Sequence, residues 1–398
     1  MEELDYLPFD CDNHYYEALD AFTRHVDPAW HRRCVEWCEI NGRSYHVIGG
    51  VVSHAVVNPT FDPIAKAGAL YKYFRGNPEG RSPMEYLRDR EPIPAEYRDR
   101  DARIARLDQQ GVSSVWLFPT LGVLYEELLK HDIEALCVMF RGFNRWLEED
   151  WGFSYQNRIY ASPYITLADV NWACEELEWA LDNDARTVVL RPAPVITRFG
   201  PRSPGDEIFD PFWSRVNESG ITVVVHAGDS GYTSQGYDED GFGAEFGGPG
   251  VRKKGAPTIK AFNIERAAQD WLLTMSFERM YERFPNLRVA SVENGSDYLA
   301  NLLRKLDQIA NKNPWWFKED PVELYKRHVW MNPFWEDNVH EVTELMGSDH
   351  VIFGSDWPHI EGMPQPLDYV VELKEFNEAD QRKILLENTT YLNEHRPA

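Results

Sequence analysis

The chain has 398 residues, 43% of them hydrophobic, and a formal net charge of −24. That length and apolar content suit one large α/β barrel or two smaller domains. The charge argues against a nucleic-acid partner and against an anionic membrane surface. Five cysteines, widely scattered and odd in number, argue against a disulfide framework and suggest a reducing cytoplasmic setting. The start, MEELDYLPFD, lacks the basic and apolar segments of a signal peptide, and no apolar run is long enough to span a bilayer.

In chain order, short β-branched or apolar runs alternate with helical patterns. The runs predict strands at Tyr6–Asp10, Val112–Phe118, Ile159–Ile165, Thr187–Leu190, Ile221–Val225, Leu287–Val292, His328–Met331 and Val351–Phe353. Between them, VLYEELLKHDIEALCVMFRGFNRWLEE is amphipathic, and TLADVNWACEELEWALDND has Thr166 as a candidate cap. NIERAAQDWLLTMSFERMYERFP stops at Pro285. SDYLANLLRKLDQIANKN has Ser296 as a candidate cap, and EDNVHEVTELMG ends at Gly347. Cys34 and Cys38, four apart, suit a helix but lack the second pair that a zinc finger needs. Eight strands alternating with helices indicate a parallel sheet, either closed as a (β/α)8 TIM barrel or open and doubly wound. The absence of G-x-G-x-x-G after the first strand weakens a dinucleotide-binding version, and the glycines at 241–250 lack the Lys-Ser/Thr of a P-loop. Two long segments break the rhythm, an arm at 31–100 and a glycine-rich, lid-like loop at 229–260.

The strand ends carry the chemistry. VVVHAGDSG ends a buried-type strand in His226. FDCDNHYYE gives Asp12 and His14 two apart, hence on one side of an extended chain. VIFGSDWPH places Asp356 just past the last strand, with His359 three further on, and VASVENG puts Glu293 at the end of the sixth. Imidazoles with hard carboxylates, delivered to one mouth, are what a divalent metal with an open position requires. Singly, each has a plainer role: Asp12 or Asp356 could cap a helix, His14 could be a supporting hydrogen bonder, and Arg191 could serve a structural ion pair. His54 lies in the arm and could reach a site from above, whereas Trp315 and Trp316 suit packing or an interface.

These motifs resemble the amidohydrolase superfamily, in particular the branch of aminocarboxymuconate-semialdehyde decarboxylase and γ-resorcylate decarboxylase. MNPFWEDN and ILLENTTYLN add to the likeness. The resemblance covers most of the chain and is weak over 31–100. It implies one distorted (β/α)8 barrel domain over residues 1–398, with insertions after strands one and five. It also implies one divalent ion on Asp12, His14, His226 and Asp356. Zn2+ is the first expectation, and the carboxylate at Asp12 makes room for Mn2+, Fe2+ or Mg2+. In the branch the first of the strand-one pair is His or Glu, and the sixth strand commonly ends in His; this chain has Asp12 and Glu293 there. Asp356 is then the expected general base and acid, Glu293 and His359 are candidates for proton handling, and Arg191 is a candidate clamp for a carboxylate. The activity implied is non-oxidative decarboxylation of an aromatic or conjugated acid, with hydrolysis of a lactone, ester or amide as the alternative. A barrel that has lost catalysis and serves as a binding scaffold is a third reading. A small-molecule substrate and a homo-oligomer complete the expectations.

Overall fold

The computed structural model describes residues 4–56, 58–232 and 262–398. The expected lid-like loop therefore lies outside the described residues from 233 onward. The strands are β1 (Phe9–Tyr15), β2 (Val35–Ile40), β3 (Arg43–Ile48), β4 (Val51–Val52), β5 (Ile64–Ala65), β6 (Arg90–Glu91) and β7 (Ser114–Pro119). They continue with β8 (Ile159–Ala161), β9 (Thr187–Leu190), β10 (Val195–Thr197), β11 (Gly200–Arg202), β12 (Thr222–His226), β13 (Arg288–Val292) and β14 (Val329–Met331).

The fold is α/β. Parallel pairing gives one sheet of order β1-β7-β8 and another of order β14-β13-β12-β9. Helices such as Arg100–Gln110, Ile133–Asp150, Val170–Asp182, Asp210–Ser219 and Leu299–Lys312 connect successive strands. Apart from Ser114 at the start of β7, the parallel strands are buried along their whole length, as expected of parallel sheets covered on both faces. Between the sheets, Val189 N donates to Pro163 O and Ile165 N to Val189 O, both at 3.0 Å. Ile352 N donates to Met331 O at 2.9 Å, and Cys11 N to Phe353 O at 2.8 Å.

Several elements differ from expectation. The first strand runs later, to Tyr15, so Asp12 and His14 lie within it rather than past its end. The third keeps a ladder only to Ala161, because Pro163 has no N–H to extend it. Residues 351–353 are extended but joined by single bridges rather than a ladder. The helix after β8 is capped by Asp169, which accepts from Asn171 N and Trp172 N; the Thr166 hydroxyl instead donates to Glu126. Ser296 donates to Asp337 rather than capping, and its helix begins at Leu299. Cys38 lies in β2, not in a helix, and Cys34 just precedes it. Asn41 and Gly42 both have positive φ, the geometry of a tight hairpin turn, so β2 folds back on β3. All five cysteines are free thiols, and among the described residues no helix is long and apolar enough to cross a membrane.

Candidate functional site

The site lies at the C-terminal ends of the parallel strands. In β1 the register slips by one residue between Asp10 and Asn13, a bulge that carries Asp12. Asp10, beneath it, is wholly buried and accepts four hydrogen bonds: from Asp12 N, Asn13 Nδ2, Ser355 N and Ser355 Oγ. Burial pushes its carboxyl up to about 7 against the pull of the Ser355 hydrogen bond. Through this carboxylate β1 is tied to the turn that presents Asp356, whose own N–H donates to Asp12 O at 2.8 Å. Arg103, buried and reaching from the helix Arg100–Gln110, donates to Asn13 Oδ1 at 2.5 Å and His14 O at 2.7 Å. Its guanidinium lies over the Trp357 ring, and burial lowers it to about 9.

Above this support six titratable side chains converge. His14 Nε2 lies 3.2 Å from Asp12 Oδ1, 3.2 Å from Asp356 Oδ1 and 3.7 Å from Glu293 Oε2. His226 Nε2 lies 3.4 Å from Asp12 Oδ1 and 3.3 Å from Glu293 Oε2. His359 Nδ1 lies 2.6 Å from Asp356 Oδ1, and its ring stacks on His14 with centroids 3.8 Å apart. One donor atom from each of Asp12, His14, His226 and Glu293 falls within 4.8 Å of the others. The same holds for His14, Glu293, Asp356 and His359. Glu293 and His359 are the more open members, with side chains 17% and 11% exposed.

The electrostatics are those of concentrated negative charge. Burial, with the charges of Asp356 and Asp12, raises Glu293 well above the carboxylate range. Burial, with Glu361 and Asp12, does the same to Asp356. Burial opposes ionisation of Asp12, but the facing His14 and His226 rings hold its carboxyl below the usual value. Burial, and the nearby His359, keep His14 neutral.

The donor set fits a divalent cation. Both carboxylate oxygens of Asp12 and of Asp356, both ring nitrogens of His14, and Nε2 of His226 are buried with no hydrogen-bond partner. Groups of this kind are ordinarily satisfied when buried, so a shared positive partner is the economical explanation. The spacing agrees: around an ion with bonds of about 2.1 Å, neighbouring ligand atoms are separated by about 3.0–3.4 Å. The His14 and His226 contacts with Asp12, and the His14 contact with Asp356, fall in or near that range.

Other expected residues are placed as follows. Arg191, at the end of β9, is buried and paired with Glu126 (3.2 Å) and Glu127 (2.8 Å), and it also donates to Asp229 O. Burial alone would lower it, but those carboxylates hold it above its ordinary value. The guanidinium's charge is thus balanced by two carboxylates. His54 packs edge-on against Tyr45 in the arm. Trp316 donates to Phe277 O, and Trp315 is exposed. Sequence reasoning missed Asp10, Arg103 and Thr120. Of these, Asp10 alone carried a signal, as a carboxylate in an otherwise apolar strand.

The chain thus combines a mostly parallel α/β fold with His and carboxylate groups clustered at its strand ends, a donor set that fits a divalent cation. Residues 10–392 match the family model described as Amidohydrolase, and the chain belongs to that family. Among solved structures it is similar to an amidohydrolase from Mycobacterium avium subsp. paratuberculosis K-10. Identity is 41% and the TM-score 0.91, covering 98% of this chain and 100% of that one. It also matches 5-carboxyvanillate decarboxylase from Novosphingobium aromaticivorans, complexed with manganese and a nitrobenzoic acid. There identity is 15% and the TM-score 0.60, over 98% and 96% of the two chains. A third is 2,6-dihydroxybenzoate decarboxylase from Rhizobium, at 16% identity and TM-score 0.54, over 74% and 87%. At such low identity these decarboxylases speak for the fold alone. No functionally curated protein matches the chain.

Proposed function

We propose that this chain is a one-domain, distorted (β/α)8 barrel with insertions after its first and fifth strands. It holds one divalent cation on Asp12, His14, His226 and Asp356 and acts as a non-oxidative decarboxylase on an aromatic or conjugated carboxylic acid. Closure of the barrel is supported by the backbone hydrogen bonds that link Pro163–Ile165 to β9 and residues 352–353 to β14 and β1. The observation that carries the functional reading is the buried, partnerless set of nitrogen and oxygen donors, spaced as the edges of a coordination polyhedron.

When bound, the ion would supply Lewis acidity toward a substrate oxygen. The carboxylate-rich donor set suits Mn2+ as well as Zn2+, and manganese is the ion in the 5-carboxyvanillate decarboxylase structure. The chain's own groups would manage the proton. Asp356, between His14 and His359, would deliver a proton to the ring carbon that bears the carboxylate. The C–C bond then breaks, its electron pair restores the ring, and CO2 leaves. Glu293, at the more exposed side, would face the entering substrate.

A second reading, hydrolysis of a neutral lactone, ester or amide, draws support from charge. Arg191 is committed to Glu126 and Glu127, and the open side carries the Glu293 carboxylate. The test is metal analysis of protein purified without chelator. It is paired with CO2 release from a panel of hydroxybenzoates and 18O incorporation from water into a panel of lactones and esters. CO2 release with stoichiometric metal supports the first reading, and 18O incorporation alone replaces it with the second. A folded, metal-free and inert protein overturns both in favour of a binding scaffold.

A further inference from the structure

Thr120 follows β7 at the strand-end mouth, and its hydroxyl makes two close contacts: 2.7 Å to Tyr15 O and 2.9 Å to His359 Nε2. A hydroxyl has one proton, and a carbonyl oxygen can only accept. The proton therefore goes to Tyr15 O, since otherwise two oxygen lone pairs would face each other at 2.7 Å. His359 Nε2 must then be the donor in the second contact. A neutral imidazole with hydrogen on Nε2 carries its lone pair on Nδ1. That nitrogen is buried in the cluster with His14 and Glu293, 2.6 Å from Asp356 Oδ1, a separation that a lone pair on Nδ1 tolerates only with a proton on Asp356 or a cation between the two atoms.

We propose that Thr120 is a positioning residue: it locks His359 as the Nε2–H tautomer, so that Nδ1 presents a lone pair to the cluster as proton acceptor or ligand. This rests on the proposed function for its purpose, though not for its geometry. The His14 and His359 rings stack with centroids 3.8 Å apart, which disfavours charge on both. Tyr15 O is backbone at the end of β1, so the lock ties His359 to the strand that carries Asp12 and His14. The hydroxyl is what matters, so serine should replace threonine and valine, of the same shape, should not.

The experiment is long-range 15N–1H correlation spectroscopy of histidine-labelled, zinc-loaded full-length protein, with His359 identified by loss of its signals in His359→Gln. The wild type should show the Nε2–H pattern for His359. In Thr120→Val the His359 shifts should move toward a tautomer mixture or Nδ1–H, and Thr120→Ser should restore them. An Nδ1–H or doubly protonated His359 in the wild type, or an unchanged pattern in Thr120→Val, overturns the proposal. Thermal melts and zinc content of each variant establish that it is folded and loaded. Should the wild type fail to take up zinc, the functional reading fails, while the same spectrum of the metal-free protein still decides the tautomer.

Discussion

Asp10→Ala removes the carboxylate that joins β1 to the Ser355 turn. Of its four donors only the Ser355 hydroxyl can turn to another partner; Arg103 holds the Asn13 amide through Oδ1, which leaves the Asn13 Nδ2 donor unpaired. The remaining two, Asp12 N at 3.1 Å and Ser355 N at 2.9 Å, are backbone groups in a buried strand and turn and cannot rotate away. Each orphaned donor costs about 1–3 kcal/mol, which makes about 3–9 kcal/mol for the three. Asp10→Asn keeps one acceptor but sets an amide N–H2 against the Asn13 amide, at a cost of about 1–3 kcal/mol. Urea unfolding followed by tryptophan fluorescence reads both variants, provided the m-value is unchanged. Because Asp12 N is one of the orphans, metal content should fall along with stability. An alanine variant within about 0.5 kcal/mol of the wild type would refute the reasoning, since that is the scatter of ordinary surface substitutions.

A Cβ added at Gly354 would lie 2.4 Å from Asp12 Cβ, so Gly354→Ala should displace Asp12 and abolish metal uptake; wild-type metal content and Tm would contradict this. Arg191→Met leaves Glu126 and Glu127 without their buried cation and should cost about 3–5 kcal/mol in chemical denaturation. A stable variant altered only in KM would instead return Arg191 to the role of substrate clamp. His46, bonded through Nδ1 to the Tyr125 hydroxyl, is pushed down to about 3 by burial. The native state therefore stays neutral while the unfolded chain protonates near 6.5, so this contribution is full above pH 6.5 and lost on acidification. At pH 5.0 the loss is about 2 kcal/mol, and His46→Gln should lack that part of the pH dependence between 7.5 and 5.0; identical slopes for the two proteins would show the assignment to be wrong.

The convergence of Asp12, His14, His226, Glu293, Asp356 and His359 was legible because each stands at or near the end of a β-branched run, and parallel strands deliver such ends to one face. The grouping departs from the expected set: Asp12, His14 and His226 take Glu293 as their fourth member, whereas Asp356 falls with His14, Glu293 and His359. What supports the site was not legible. Arg103 acts 89 and 90 positions from the residues it holds, and Thr120 acts 239 positions from His359. No periodicity records such partners. Arg191 was legible as a guanidinium at a strand end, but its ion pairs with Glu126 and Glu127 become visible only in space. In the arm, Asn41-Gly42 was a local hairpin signal, and it outweighs the helical spacing of Cys34 and Cys38.

Glu293 and Asp356 both adopt positive φ, 58° and 56°. For a residue with a Cβ, the left-handed region costs about 1–2 kcal/mol, and glycine would occupy it without strain. Each is held there by its surroundings: Asn332 Oδ1 accepts from Glu293 N, while Asp356 N donates to Asp12 O and its neighbour Ser355 is fixed by Asp10. Backbone ease does not account for carboxylates at these two turns. Their side chains do: each turn brings a carboxyl group to His14, at 3.7 Å for Glu293 and 3.2 Å for Asp356. The strain is thus the local cost of gathering carboxyl groups around His14, the arrangement on which the proposed divalent cation would draw.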